Sequence, residues 1–108
     1  MEVIWSELAI DSLSDILDYV EGFFGKEIAD KVGNRILAFV EQLSSSPNVG
    51  RRMGGINENV DLRCAYYKQD RIYYYVKEYQ LYVIIVWDGR QNPDRLRELL
   101  AEYFARNI

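Results

Sequence analysis

Leu81-Tyr82-Val83-Ile84-Ile85-Val86-Trp87, followed at once by Asp88-Gly89-Arg90-Gln91-Asn92-Pro93, decides how this chain folds. Seven apolar or aromatic residues run without a break, are β-branched in the middle, and stop at an Asp-Gly turn signal. Such a run reads as a strand covered on both faces, hence interior to a sheet. A helix would carry its apolar residues on one stripe, and this run is too short before Asp-Gly and Pro. The polar turn behind the strand is where a site is expected.

Working outward, the next signal lies just upstream, where the period is two. Val60, Leu62, Cys64 and Tyr66 alternate with Asp61, Arg63, Ala65 and Tyr67; Ile72, Tyr74 and Val76 alternate with Arg71, Tyr73, Tyr75 and Lys77. A three-residue loop, Lys68-Gln69-Asp70, pairs Tyr67 with Arg71. Leu62, Cys64 and Tyr66 then face Val76, Tyr74 and Ile72 on the apolar side. On the other side Arg63 faces Tyr75, and Asp61 faces Lys77 as a cross-strand ion pair. That side is expected to be a half-polar face of Arg63, Tyr67, Arg71, Tyr73, Tyr75 and Lys77, turned away from the helices.

The first half of the chain is helical in pattern. Glu2–Trp5 reads as a short strand, and Ser6 as the N-cap of a helix with Glu7 at its positive end. Apolar residues at Ala9, Leu13, Ile16 and Val20 form one stripe, opposite Glu7, Asp11, Asp15 and Asp18. Gly22 and Gly25 supply the cap and turn. A second helix is expected over 26–43, in which Gly33 either marks close approach to the first or is merely tolerated. The two form an antiparallel hairpin. The loop from Ser44 to Asn59 carries Arg51-Arg52, and loops of that length are usually functional or disordered. At the far end, Asn92 caps a third helix beginning with Pro93, striped by Leu96, Leu99, Leu100, Tyr103 and Phe104. The expected fold is α+β: an antiparallel sheet packed against a helical hairpin, in the order β-α-α-β-β-β-α. The first strand is expected beside Leu81–Trp87. One domain spans 1–108: strand plus hairpin over 1–43, meander over 60–92, and C-terminal helix over 93–108.

Composition narrows the chemistry. The chain has one cysteine and no histidine, which removes His-Cys zinc sites and the Ser-His and Cys-His nucleophile pairs. No metal and no cofactor are expected. No apolar run approaches the roughly 18 residues a membrane span needs, and Met1–Trp5 lacks the basic start of a signal peptide. A cytoplasmic protein is the plain expectation. The formal charge of −4 is uneven: residues 1–43 hold nine acidic and three basic side chains, residues 44–95 eight basic and six acidic. Any anion-binding surface therefore belongs to the second half.

This order of elements, with Val3-Ile4-Trp5-Ser6, Pro47-Asn48-Val49-Gly50-Arg51, Arg63, and Ile85-Val86-Trp87-Asp88-Gly89-Arg90-Gln91-Asn92-Pro93, resembles the RelE/ParE superfamily of bacterial type II toxins over residues 2–93. The resemblance implies a compact toxin neutralised by a cognate antitoxin that wraps it. RelE-like members cut messenger RNA in the ribosome; ParE-like members act on DNA gyrase. Metal-free RNA cleavage needs a base, a cation for the pentacovalent phosphate and an acid. Arg63 and Arg90 are the candidate catalytic cations, with Arg51 or Arg71 assisting. A base and an acid are harder to find: many members carry histidine where this chain has Asp88, and Tyr67, Tyr73 and Tyr75, though on the right face, need help to titrate near neutral pH. The net acidity also suits an RNA-rich site poorly. The ParE-like reading is therefore favoured over the ribonuclease. A non-toxic binding module is the third reading.

Each candidate has a plainer role beside the functional one. Arg63 is a site cation or stacks on Tyr75, a contact worth about 0.5–1 kcal/mol when exposed. Arg90 closes its turn on Asp88 or a helix carboxylate. Arg51, Arg52, Arg71, Tyr73 and Tyr75 are candidates for target or RNA binding, the tyrosines by base stacking, or else are solvated or structural. Cys64 is expected to be inert core. An antitoxin segment is expected along the Leu96–Phe104 stripe and the edge beside Val60–Tyr67. Whether the third helix folds on its own sheet, and whether the chain forms a homodimer, stay open in the sequence.

Overall fold

The computed structural model describes residues 1–107. Its elements are β1 (Glu2–Trp5), α1 (Glu7–Phe24), α2 (Lys26–Ser45), β2 (Arg51–Arg52), β3 (Arg63–Tyr67), β4 (Asp70–Lys77), β5 (Gln80–Asp88) and α3 (Pro93–Asn107). The fold is α+β, with the helical hairpin and strands in the expected order. The expected loop, however, contributes a fifth short strand, β2, and the parallel β1 makes the sheet mixed where an antiparallel one is expected. One residue of the expected third helix, Ile108, lies outside the described residues. The strands form one sheet in the order β1-β5-β4-β3-β2. β5 has a strand on each side, parallel β1 and antiparallel β4, so the continuous apolar run is interior as its composition requires.

The sheet is covered on both faces. Ile36, Val40 and Leu43 of the hairpin pack with Ala65, Ile72, Tyr74, Leu81, Val83 and Val86 on one side. Leu96, Leu100 and Phe104 of α3 pack with Cys64, Tyr73, Tyr75, Ile85 and Trp87 on the other. β5 serves both layers through a bulge: Tyr73 opposes Ile85 and Tyr74 opposes Val83, leaving Ile84 as the extra residue. Ser6 is tied to this irregularity. Its Oγ accepts from the Ala9 N–H at 2.9 Å as the expected N-cap, and donates to the Ile84 carbonyl at 2.7 Å, while its N–H donates to the Val83 carbonyl. Six residues on, the Ser12 Oγ accepts from the Val86 N–H at 3.0 Å. Two serines thus dock α1 onto β5.

At the tip of the hairpin Gly25, at φ 89°, ends α1, whereas Gly22 lies inside the helix. Gly33 does mark close approach: a Cβ there would stand 3.1 Å from Leu17 Cδ1.

The β3–β4 hairpin differs from the expected register by one residue. Its loop is Lys68-Gln69, with Lys68 at φ 55°, and Tyr67 pairs with Asp70, Cys64 with Tyr73 and Arg63 with Tyr74. A slip of one reverses the faces of a whole strand. β4 keeps the expected orientation, with Ile72 and Tyr74 toward the helical hairpin. β3 is reversed: Arg63, Ala65 and Tyr67 face the hairpin, and Cys64 faces α3. Asp61 accordingly pairs with Arg52 and Arg63, at 3.1 and 3.0 Å, instead of Lys77.

Candidate functional site

The face expected to be open is closed by α3. Tyr73 and Tyr75 are 3% and 4% exposed. Tyr75 stacks on Tyr82 at 5.0 Å, packs on Phe104 at 5.7 Å, and shares a 3.1 Å hydroxyl contact with Tyr103. Burial pushes the Tyr73 phenol up to about 12 and the Tyr75 phenol further up, so neither offers a base. Leu96, Leu100 and Phe104 are spent in the same core, which removes them from the surface expected to meet an antitoxin. The outer edge of β3 is covered at Arg63 and Cys64 by β2, leaving Ala65–Tyr67 as its uncovered part among the described residues.

Arg63 does not stack on Tyr75; the register shift puts it on the opposite face, beside Tyr74. There the two side chains clamp the segment after α2. Arg63 Nη1 donates to the carbonyls of Asn48 and Gly50 at 3.1 and 2.7 Å, and Nε donates to Asp61 Oδ2 at 3.0 Å. The Tyr74 hydroxyl donates to the Pro47 carbonyl at 2.7 Å and accepts from the Gly50 N–H at 3.0 Å. A Cβ on Gly50 would overlap that hydroxyl, which explains glycine in Pro47-Asn48-Val49-Gly50-Arg51. With 15% of its side chain exposed, Arg63 has three of its five N–H donors in these bonds. Sequence reasoning missed Tyr74; its hydroxyl on an otherwise apolar strand face was the available signal, since a buried phenol usually finds a partner.

The clamp presents Arg51 and Arg52 on the short edge strand β2, both exposed. Arg52 Nε binds Asp61 Oδ1 at 3.1 Å. Arg71 lies on the α3 side near the other end of the sheet, with its guanidinium 5.0 Å from the Tyr66 ring; a Cβ on Gly89 would approach its Nε to 3.0 Å. Gly89 thus lets the turn lie against Arg71.

The turn itself is self-contained. Asp88 Oδ1 accepts from the Arg90 N–H at 2.9 Å and from Arg90 Nε at 3.0 Å, and Oδ2 accepts from Nη2 at 2.6 Å. These bonds hold the Asp88 carboxyl below its ordinary range. Arg90 therefore closes its own turn. It is also remote from Arg63: Arg63 pairs with Tyr74, whereas Asp88 pairs with Asp70 four residues along β4, a separation of about 13 Å at 3.3 Å per residue before the two-strand offset is added. The two arginines do not form a shared anion pocket.

Near Arg90, α1 and the ends of β4 and β5 enclose a cleft of 690 Å³ lined by Tyr19, Phe23, Asp70, Asp88 and Arg90 among others. Asp70, read from the sequence as part of a turn, is 4% exposed and its Oδ1 has no hydrogen-bond partner. Burial, then the neighbouring Asp88 charge, raises its pKa. Tyr19, Phe23 and Phe24 stay 57%, 69% and 67% exposed.

A small α+β protein of this topology, with an arginine-tyrosine clamp on the post-hairpin loop and a self-paired Asp-Gly-Arg turn, has a solved counterpart. A chain of the chromosomal ParDE TA system from P. aeruginosa shares the fold, with TM-score 0.64 and 21% identity over 80% of this chain and 92% of that one. No curated protein matches. The family described as "ParE toxin of type II toxin-antitoxin system, parDE" matches residues 3–93. The chain belongs to that family of type II toxins.

Proposed function

We propose that this toxin inhibits growth by binding a protein target such as DNA gyrase, acts in the cytoplasm, and is held inactive by a cognate antitoxin. The observation that carries the binding reading is the use of Arg63. Three of its five N–H donors go to two loop carbonyls and a carboxylate, which supports reading the residue best placed by resemblance for phosphate chemistry as a structural brace. The brace presents Arg51 and Arg52 on an exposed edge, and at the hairpin tip, apart from it, Tyr19, Phe23 and Phe24 form a second exposed recognition surface. Exposed aromatics of this kind mark interaction sites more often than isolated apolar residues do.

The test is induction of the protein with and without the product of the adjacent reading frame, combined with a supercoiling assay using purified gyrase. Growth arrest, relief by the neighbour in a stable complex, and loss of supercoiling are expected. Normal growth with unaffected gyrase would leave the non-toxic binding module instead.

A further inference from the structure

The cleft between α1 and the β4–β5 ends carries a charge imbalance the fold does not resolve. Asp70 and Asp88 are directly opposed across neighbouring strands, an arrangement that costs stability when both are charged. One guanidinium serves the two of them, and Arg90 spends its side-chain bonds on Asp88. Asp70 is left buried with an unbonded oxygen on the cleft lining. Leaving such a group unsatisfied is costly.

The surroundings select the missing partner. Asp15 adds a third carboxylate to the lining against the single Arg90. α1 as a whole carries Glu7, Asp11, Asp15, Asp18 and Glu21 and no basic residue. On the same wall the Tyr19 and Phe23 rings lie 4.8 Å apart, tilted by 43°, and remain more than half exposed, so an aromatic surface stands beside an acidic floor. A guanidinium suits both, because it binds carboxylates with paired donors and lies flat on aromatic rings, whereas an ammonium is a point charge that stays hydrated.

The geometry points to this cleft as a receptor for an arginine side chain of a protein partner, with Asp70 as the anionic floor and Tyr19 and Phe23 as the stacking wall. The inference does not rest on the identity of the toxin's target, and its test uses small probes, so either can fail without the other.

The experiment is an amide and aromatic NMR titration of the full chain with N-acetyl-arginine amide, its lysine counterpart, and its citrulline counterpart, the neutral isostere. The arginine probe is expected to shift Tyr19, Phe23, Gln69, Asp70 and Asp88–Arg90 with millimolar saturation, with lysine and citrulline about tenfold weaker. Asp70→Asn, which keeps shape and removes charge, is expected to weaken arginine binding at least about fivefold. Tyr19→Ala is expected to weaken it by a smaller factor. Asp18→Asn, on α1 but outside the cleft, should leave it unchanged. Equal responses to arginine and citrulline, equal responses to arginine and lysine, shifts scattered along the acidic face of α1, or an unaffected, folded Asp70→Asn variant would each overturn the assignment.

Discussion

Replacing Tyr74 by Phe removes one oxygen and nothing else, yet that oxygen holds the chain together where α2 hands over to β2. The hydroxyl makes two bonds, to the Pro47 carbonyl and from the Gly50 N–H, and the residue is fully buried. Each bond is worth about 1 kcal/mol net, and the orphaned buried Gly50 N–H adds a desolvation cost, so a loss of about 2–3 kcal/mol is expected. At a urea slope of about 1.5 kcal/mol per molar the unfolding midpoint should fall by about 1.3–2 M with the slope unchanged. Exchange of the Gly50 amide should also accelerate relative to amides of β5. Tyr66→Phe, at a half-exposed ring on the same hairpin, serves as the control and should move the midpoint little. An unchanged midpoint for Tyr74→Phe, or a loss equal to that of Tyr66→Phe, would show that the clamp does not hold the loop.

Other perturbations separate the remaining contributions. Gly22→Ala, inside α1 with open space around the new methyl, should stabilise by about 0.5–1 kcal/mol in the same urea assay. Glu78 and Tyr79 both sit at positive φ, 51° and 62°, so Asn-Gly in their place should stabilise by about 1–2 kcal/mol as a raised melting temperature. Asp70, raised above its ordinary 3.8, binds protons more tightly folded than unfolded. Its contribution to stability therefore declines as pH rises through the window above 3.8. Asp70→Asn should match wild type in acid and become the more stable of the two by pH 7. Asp88, lowered by Arg90, has the opposite sign: Asp88→Asn should be less stable at neutral pH, with the gap closing as pH falls below 3.8.

The parts of this fold that the sequence displays are those set by local chemistry. The apolar run of β5, the Ser6 cap, the Gly25 stop and the helical stripes each depend on residues close together in the chain, and each appears where its pattern says. The β3–β4 hairpin depends on loop length, and Lys68-Gln69 has no glycine or asparagine to announce a two-residue turn with positive φ. That one-residue difference turned Arg63 from the α3 side to the helical side, and with it the expected partnership with Tyr75. The polar-looking strand face misled for a related reason: arginines and tyrosines alternate there, but a helix 18 residues beyond Tyr75 covers the tyrosines. Long-range coverage of this kind leaves no periodic trace. The Arg90–Asp88 pair, by contrast, is a contact between residues two apart, and it forms as the sequence suggests.

The division of labour assigned to Arg63 is tested most directly by adding the purified protein to a translating extract and mapping the 5′ ends of the messages. Intact messages are expected, with Arg63→Ala lowering the stability of the fold. Cleavage at defined codons, lost in a stably folded Arg63→Ala variant, would contradict the account.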